Sequence, residues 1–126
     1  MPLRILVLPD DGIGPEITRA TLQVLRSADA AFSLGLEFEI QDIGFASLKS
    51  QGTTLPRAVM TRIPQVDGVI LGPVSHYEYP RREQGGINPS AELRVAFDLY
   101  AGIRPCRSHE GLTCLRKLAS PNSNVD

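Results

Sequence analysis

The feature that most constrains the fold is an aliphatic strand that leads directly into a helix. Residues 3–8 read Leu-Arg-Ile-Leu-Val-Leu, a composition typical of a strand buried on both faces of a parallel sheet. The stretch from Pro9 to Gly12 ends this run, and Pro15 stands where a first helical residue is favoured. Because parallel neighbours must be joined by a crossover, usually a helix, this opening predicts an α/β fold.

The same alternation of strand and helix continues along the chain. We predict helices from Gly14 to about Ala31, from Gly44 to Gln51 and from Pro56 to Ile63, with strands over residues 36–41 and 67–72. The second of these strands reads as buried. This order indicates a layered parallel or mixed sheet with flanking helices. The apolar face predicted for the first helix consists of Ile17, Ala20, Thr21, Val24, Leu25 and Ala28.

Composition argues against several functional classes. The formal net charge of -1 gives no field that attracts nucleic acid, and the absence of Trp removes the best stacking side chain. Two cysteines, Cys106 and Cys114, and two histidines, His76 and His109, complete no zinc pattern and favour reduced thiols in a cytoplasmic protein. No apolar run approaches membrane-spanning length, and no signal peptide opens the chain. We therefore expect neither a nucleic-acid nor a membrane partner.

A long polar loop and a helix start follow the strand over residues 67–72. Residues 73–89 contain Gly85-Gly86, three prolines and the basic pair Arg81-Arg82, which we expect to be solvated. Loops of this length in a compact domain are usually functional or disordered. Asn88 or Ser90 can cap the helix that follows, with Pro89 in its first turn.

That helix start carries the groups expected of an anion site. Ser90 and Arg94 are four residues apart and share one helix face. Free N–H groups at the helix start favour an anion, and an arginine can clamp a carboxylate with two hydrogen bonds. A strand predicted over Tyr100 to Pro105 would deliver a second guanidinium from Arg104.

Ordinary structural roles are the alternative for both arginines. Arg94 could pair with Glu92 or Asp98 on the helix surface, and Arg104 could belong to a structural ion pair. Spacing alone favours the surface pair for Arg94 and leaves Arg104 undecided. The spacing in the turn from Asp11 to Glu16 does not by itself indicate a dinucleotide site, because the turn lacks the third glycine of that fingerprint.

In combination, these segments resemble the β-decarboxylating hydroxyacid dehydrogenases, the family of isopropylmalate, isocitrate, homoisocitrate and tartrate dehydrogenases. Residues 8–17 are similar to the opening motif of that family, and residues 69–73 to its glycine-ended strand. Leu93-Arg94 with residues 98–105 resembles the segment that carries the substrate arginines, and Gly111-Leu112 fits the loop beyond. The matches occur in order and cover nearly the whole chain.

The resemblance implies an oxidation of a malate-like 2-hydroxy acid that depends on NAD or NADP and on Mg²⁺ or Mn²⁺, followed by loss of the β-carboxylate as CO₂. The metal would act as a Lewis acid on the hydroxyl and the resulting carbonyl. By the same resemblance, Arg94 and Arg104 would bind the substrate carboxylates. Substrate contacts are also implied for Ser90, Ala91 and Asn88, and cofactor contacts for Ile13, Gly12 and Gly14.

The sequence departs from the family pattern in two places. Asp10 stands where the family usually has glycine. Ser90 and Ala91 stand where isopropylmalate enzymes generally have two leucines, and Asn88 and Ser90 reverse the order of the polar pair in isocitrate enzymes. A small or polar substituent therefore suits this sequence better than a branched alkyl group.

The resemblance also implies which parts of the enzyme are elsewhere. The third substrate arginine is expected just after Asp126, and the catalytic Tyr and Lys and the metal-binding aspartates are expected later still. We therefore expect an N-terminal part that is inactive by itself, with residues 1–98 in a first domain, residues 99–126 starting a second, and a homodimer at full length. The alternatives are a non-catalytic carboxylate-binding module, which tight binding by the short chain would favour, and a truncated product without function.

Overall fold

Three parallel strands form the sheet of the computed structural model, which describes residues 1–105. They are β1 (Leu3–Leu8), β2 (Leu36–Ile40) and β3 (Gly68–Leu71), in the order β2-β1-β3. The predicted α/β class and parallel pairing are confirmed. The sequence features at Cys106, His109, Gly111-Leu112 and Cys114 lie outside the described residues.

Four α-helices connect and flank these strands within residues 1–105. They are α1 (Gly14–Phe32), α2 (Gly44–Gln51), α3 (Arg57–Arg62) and α4 (Pro89–Ala96), with 3₁₀ turns at Ile63–Gln65 and Arg82–Gln84. The helices predicted near residues 14–31, 44–51 and 56–63 are thus confirmed. In the described part of the chain, none of the helices has the length and hydropathy needed to cross a bilayer.

β1 lies at the centre of the sheet, and its two faces are covered by different helices. Leu6 and Leu8 are fully buried and pack with Ile43, Leu55 and Val59 from the α2–α3 side. Burial of each such side chain contributes about 1.5–3 kcal/mol. The opposite face carries α1, whose Arg26 guanidinium lies 5.9 Å from the centre of the β2 Phe38 ring.

The apolar face predicted for α1 is wrong in its orientation. The buried residues of this helix are Gly14, Thr18 and Leu22, whereas Ile17 is exposed and Val24 is 68% exposed. Residues four apart form one narrow stripe, and a sheet of three strands is wide enough to cover only that stripe. The predicted face is rotated to one side of this stripe, and of its residues only Leu25 and Ala28 are partly buried.

The strand predicted over residues 67–72 is also less buried than expected. β3 is the edge of the described sheet, and its Val69 remains 37% exposed. The strand predicted over Tyr100 to Pro105 does not form, and all six residues are exposed. An extended segment needs a neighbour to satisfy its backbone groups, and no strand of the described residues pairs with this one.

Just after the end of β1, the backbone at two glycines passes very close to the carbonyl oxygen of Pro9. A Cβ added at Gly72 would lie 2.0 Å from this oxygen, and one added at Gly14 would lie 2.1 Å from it. These glycines let the ends of β1 and β3 and the start of α1 meet, which sets the position of everything that follows β3.

We predict that Gly72→Ala lowers the free energy of unfolding by about 1–3 kcal/mol, the usual cost of overpacking. Urea denaturation of the 126-residue chain measures this change. Gly68→Ala is the matched control, because a Cβ at Gly68 meets nothing within 4 Å. Equal stability of the two variants would contradict this close approach to Pro9.

Candidate carboxylate-binding site

A cavity of about 470 Å³ lies beyond the carboxyl end of β3. Its wall is built from the end of that strand, the loop that follows, the start of α4 and the segment after α4. In open parallel sheets, ligands bind at the carboxyl ends of the strands. The residues that line it are Leu71, Gly72, Val74, His76, Asn88, Ser90, Ala91, Arg94 and Arg104.

The start of α4 is fixed by two side chains. Asn88 is the N-cap, because its Oδ1 accepts a hydrogen bond from the Ala91 N–H at 3.3 Å. The buried Thr54 hydroxyl accepts from the Ile87 N–H at 2.7 Å and lies 2.6 Å from the Ile87 carbonyl oxygen, to which it donates. Asn88 rather than Ser90 therefore performs the capping, which leaves the Ser90 hydroxyl to the cavity.

Arg94 does not pair with Glu92, its neighbour on the same helix. Glu92 instead pairs with Arg82 through two hydrogen bonds of 3.0 and 3.1 Å. These contacts hold the pKa of Glu92 below its usual range and raise that of Arg82. Arg82 is exposed as expected, but the 3₁₀ turn at Arg82–Gln84 also brings it beside α4, where it pairs with Glu92. Within residues 1–105, neither Arg94 nor Arg104 forms an ion pair.

The structure places all five residues predicted for substrate binding around one cavity. Arg104 reaches it from an irregular segment instead of the predicted strand. Both guanidiniums are exposed to solvent, so each keeps its N–H groups available. The roles of these residues as substrate ligands remain a prediction.

Several residues that line the cavity were not predicted from the sequence, most notably His76. This histidine completes no ligand pattern, and for that reason it carried no prediction. The available signal was its place in the loop directly after a parallel strand, where functional residues concentrate. Leu71, Gly72 and Val74 were missed as cavity residues in the same way.

The loop that carries His76 is tied to β1 by the buried carboxylate of Asp11. One oxygen of Asp11 accepts from the Phe45 N–H at 2.8 Å, and the other accepts from the Ser75 N–H at 3.4 Å. The Tyr79 hydroxyl also donates to this carboxylate. Asp11 thus joins the end of β1, the start of α2 and both flanks of His76.

Asp10 is a second buried carboxyl beside Asp11, at the position where the family usually has glycine. Its φ of 62° lies in the left-handed region, where Asp is better tolerated than most residues. Its Oδ2 has no hydrogen-bond partner, and its Oδ1 lies 3.0 Å from the Tyr79 hydroxyl. A phenol carries one hydrogen, so Tyr79 cannot donate to both acids at once.

The electrostatics of this cluster follow from its burial. Burial, and then the hydrogen bond and charge of Asp11, raise the pKa of Asp10 from 3.8 to about 7. Burial also raises the pKa of Tyr79 far above its ordinary range, with both acids adding to the effect. In the folded chain, the protonated form of Asp10 therefore predominates below a pH of about 7.

The residues predicted for cofactor binding lie in the turn after β1 and at the first residue of α1. Ile13 is 58% exposed, and Gly12 has a φ of 55° that favours glycine. Gly14 has a structural reason to be glycine in its approach to Pro9. Within residues 1–105, no three His, Cys, Asp or Glu side chains are grouped to hold a metal, so the described residues fit no metal centre of their own.

Comparison with known proteins identifies the group to which this architecture belongs. The family described as isocitrate/isopropylmalate dehydrogenase matches residues 4–126. The chain belongs to the isocitrate/isopropylmalate dehydrogenase family. The resemblance drawn from the sequence motifs is thereby confirmed.

Individual members of the isocitrate/isopropylmalate dehydrogenase family agree with this assignment. A 3-isopropylmalate dehydrogenase of Desulfotalea psychrophila is 34% identical over 113 residues, covering 87% of this chain and 32% of that protein. One from Carboxydothermus hydrogenoformans is 36% identical over 110 residues, covering 82% and 29%. The chain thus spans about a third of the length of these relatives.

A solved structure of this family has a similar fold. The apo form of a β-decarboxylating dehydrogenase from Thermococcus kodakarensis matches with a TM-score of 0.62 and 26% identity. The match covers 78% of this chain and 27% of that one. This chain therefore shares its layered α/β arrangement with the matched part of that β-decarboxylating dehydrogenase.

We predict that Asp10 makes the stability of the chain depend on pH. Between pH 3.8 and about 7 the folded chain keeps the Asp10 proton, whereas the unfolded chain has lost it, so stability falls as pH rises through this window. Asp10→Asn should remove this loss of folding stability. At pH 8 the variant should be more stable than wild type by a few kcal/mol, because each unit of pKa shift corresponds to about 1.4 kcal/mol.

Chemical denaturation at a series of pH values measures this gap. The gap should close as pH falls well below 3.8, where the Asp10 carboxyl is neutral in both the folded and the unfolded chain. Asp42→Asn changes an exposed acid and is the control that should show no such gap. A constant difference between wild type and Asp10→Asn at all pH values would contradict the assignment.

Proposed function

We propose that this chain supplies the substrate-carboxylate site of an NAD- or NADP-dependent oxidative decarboxylation of a malate-like 2-hydroxy acid. The observation that carries the proposal is the meeting of Arg94 and Arg104 at one cavity beside the N-terminal turn of α4. The names of the isopropylmalate dehydrogenase relatives support the reaction class.

The chemistry of the cavity suits a small acid with two carboxylates. Each guanidinium can form two parallel hydrogen bonds to one carboxylate, which fixes the orientation of that group as well as its position. Arg94 lies on the helix that Asn88 caps, so its backbone is anchored before a ligand arrives. Glu92, the nearby carboxylate that could otherwise pair with Arg94, is already paired with Arg82.

These residues would contribute binding and orientation to the reaction. By holding both carboxylates, the two arginines would orient the hydroxyl-bearing carbon toward the cofactor and the catalytic base. Alignment of this kind accounts for much of enzymatic rate enhancement. The cofactor would accept the hydride, and a divalent metal would supply Lewis-acid chemistry. The ligands of that metal would lie outside residues 1–105, which contain no group of three His, Cys, Asp or Glu side chains able to hold it.

Three further features belong to the same proposal. Ile13, exposed in the turn after β1, would lie near the adenosine side of the cofactor. Residues 1–98 would form part of a first domain and residues 99–126 the start of a second. We propose that the 126-residue chain binds substrate weakly without turning it over, and that the full-length enzyme is a cytoplasmic homodimer.

We predict that Arg94→Ala weakens the binding of malate to the 126-residue chain about tenfold or more, because it removes a charge-assisted pair. Isothermal titration calorimetry gives the affinity. Arg94→Lys should recover only part of it, since lysine keeps the charge and loses the two-pronged geometry.

The control is Arg57→Ala, which removes an exposed arginine on α3, outside the residues that line the cavity. Equal losses in Arg94→Ala and Arg57→Ala would show attraction by net charge alone and would contradict the site. Reduction of NAD⁺ or NADP⁺, followed by absorbance with malate and Mg²⁺ present, tests turnover; any turnover by this chain would contradict its proposed inactivity.

A further inference from the structure

The cavity contains more hydrogen-bond donors than two carboxylates require. Ser90, Asn88 and His76 line it together with the two arginines. Asn88 uses its carbonyl oxygen to cap α4, so its NH₂ group remains as a donor. Within residues 1–105, the Ser90 hydroxyl makes no side-chain hydrogen bond of its own.

His76 lines this cavity from a wall other than α4. It lies in the loop after β3, whereas Asn88, Ser90 and Arg94 belong to the start of α4. A neutral or protonated imidazole offers at least one N–H donor. A ligand bound between the two walls would therefore meet a donor from the loop as well as those from the helix.

The position of His76 is held on both sides. The preceding Ser75 donates its N–H to Asp11, and Tyr79 donates its hydroxyl to the same carboxylate. The imidazole also lies against the ring of Tyr77, with 4.0 Å between ring centres. Donors that are fixed in place select a ligand more strongly than mobile ones, because less ordering accompanies binding.

We propose that His76 is a specificity-determining residue, which makes this cavity select a 2-hydroxy diacid whose C3 substituent is a hydroxyl or a carboxylate over one with a branched alkyl group. The proposal rests on the function proposed above and names the substrate class of the same site. A branched alkyl group would leave these donors desolvated and unpaired, which is how polar sites reject apolar analogues.

This selectivity differs from that suggested by the names of the relatives, which are 3-isopropylmalate dehydrogenases. The apolar part of the cavity consists of Leu71, Val74 and the Ala91 methyl group. These side chains lie beside the donors of Ser90 and His76, so an isopropyl group could not fill the cavity without covering polar atoms.

The test compares tartrate and 3-isopropylmalate as probes for the 126-residue chain by calorimetry. Both have two carboxylates and differ in the C3 substituent. We expect wild type to bind tartrate about tenfold more tightly. His76→Leu keeps a similar volume without polar atoms and should bring the two affinities close together, whereas His76→Gln, which restores an N–H donor, should recover part of the preference.

Glu78→Gln, in the same loop and exposed, is the matched control and should keep the wild-type ratio. Equal or tighter binding of 3-isopropylmalate by wild type, or a ratio that His76→Leu leaves unchanged, would overturn the inference. If Arg94→Ala still weakens both probes in that case, the proposed function survives. If neither probe shows binding that depends on Arg94, the proposed function fails and this inference fails with it.

Discussion

The arrangement of the site depends on the hydrogen bonds that the buried carboxylate of Asp11 accepts. A charge removed from water is costly unless hydrogen bonds compensate it, and Asp11 accepts them from α2 and from the loop after β3. Its own N–H also donates to the Pro73 carbonyl at 3.2 Å. One carboxylate therefore sets the end of β1, the start of α2 and the loop that carries His76.

The helix that carries Arg94 is held from a separate direction. Thr54, between α2 and α3, fixes Ile87 just before the N-cap, and the Arg82–Glu92 pair fixes the outer side of α4. The side chains of this pair are partly exposed, so it contributes less to stability than to the choice of partner. By occupying Glu92, it leaves Arg94 available to a carboxylate from solution.

Much of the fold follows from local sequence patterns. The aliphatic run of β1, Pro15 in the first turn of α1 and the Asn88-Pro89 start of α4 act over a few residues, so the sequence indicates them directly. The five residues predicted at the substrate site also meet at one cavity. The local sequence indicated an anion site at the start of α4, but spacing alone favoured a surface ion pair for Arg94, and the family resemblance reversed that preference.

The remaining features depend on contacts between distant parts of the chain. The pairing of Arg82 with Glu92 crosses the loop, and the burial of Asp10 beside Tyr79 joins residues 69 positions apart. No periodicity indicates such contacts. The strand expected at Tyr100 to Pro105 was wrong for a related reason, since a strand requires a neighbour that local sequence does not specify.

The central claim is that the chain binds a small diacid at the end of β3, between the loop and α4. Backbone amide chemical shifts of the isotope-labelled chain, recorded during titration with malate, test it most directly. The account predicts shifts concentrated at residues 71–76, 88–94 and 104. Shifts that cluster instead along α1 near Arg19 and Arg26, or that are spread evenly over the chain, would contradict it.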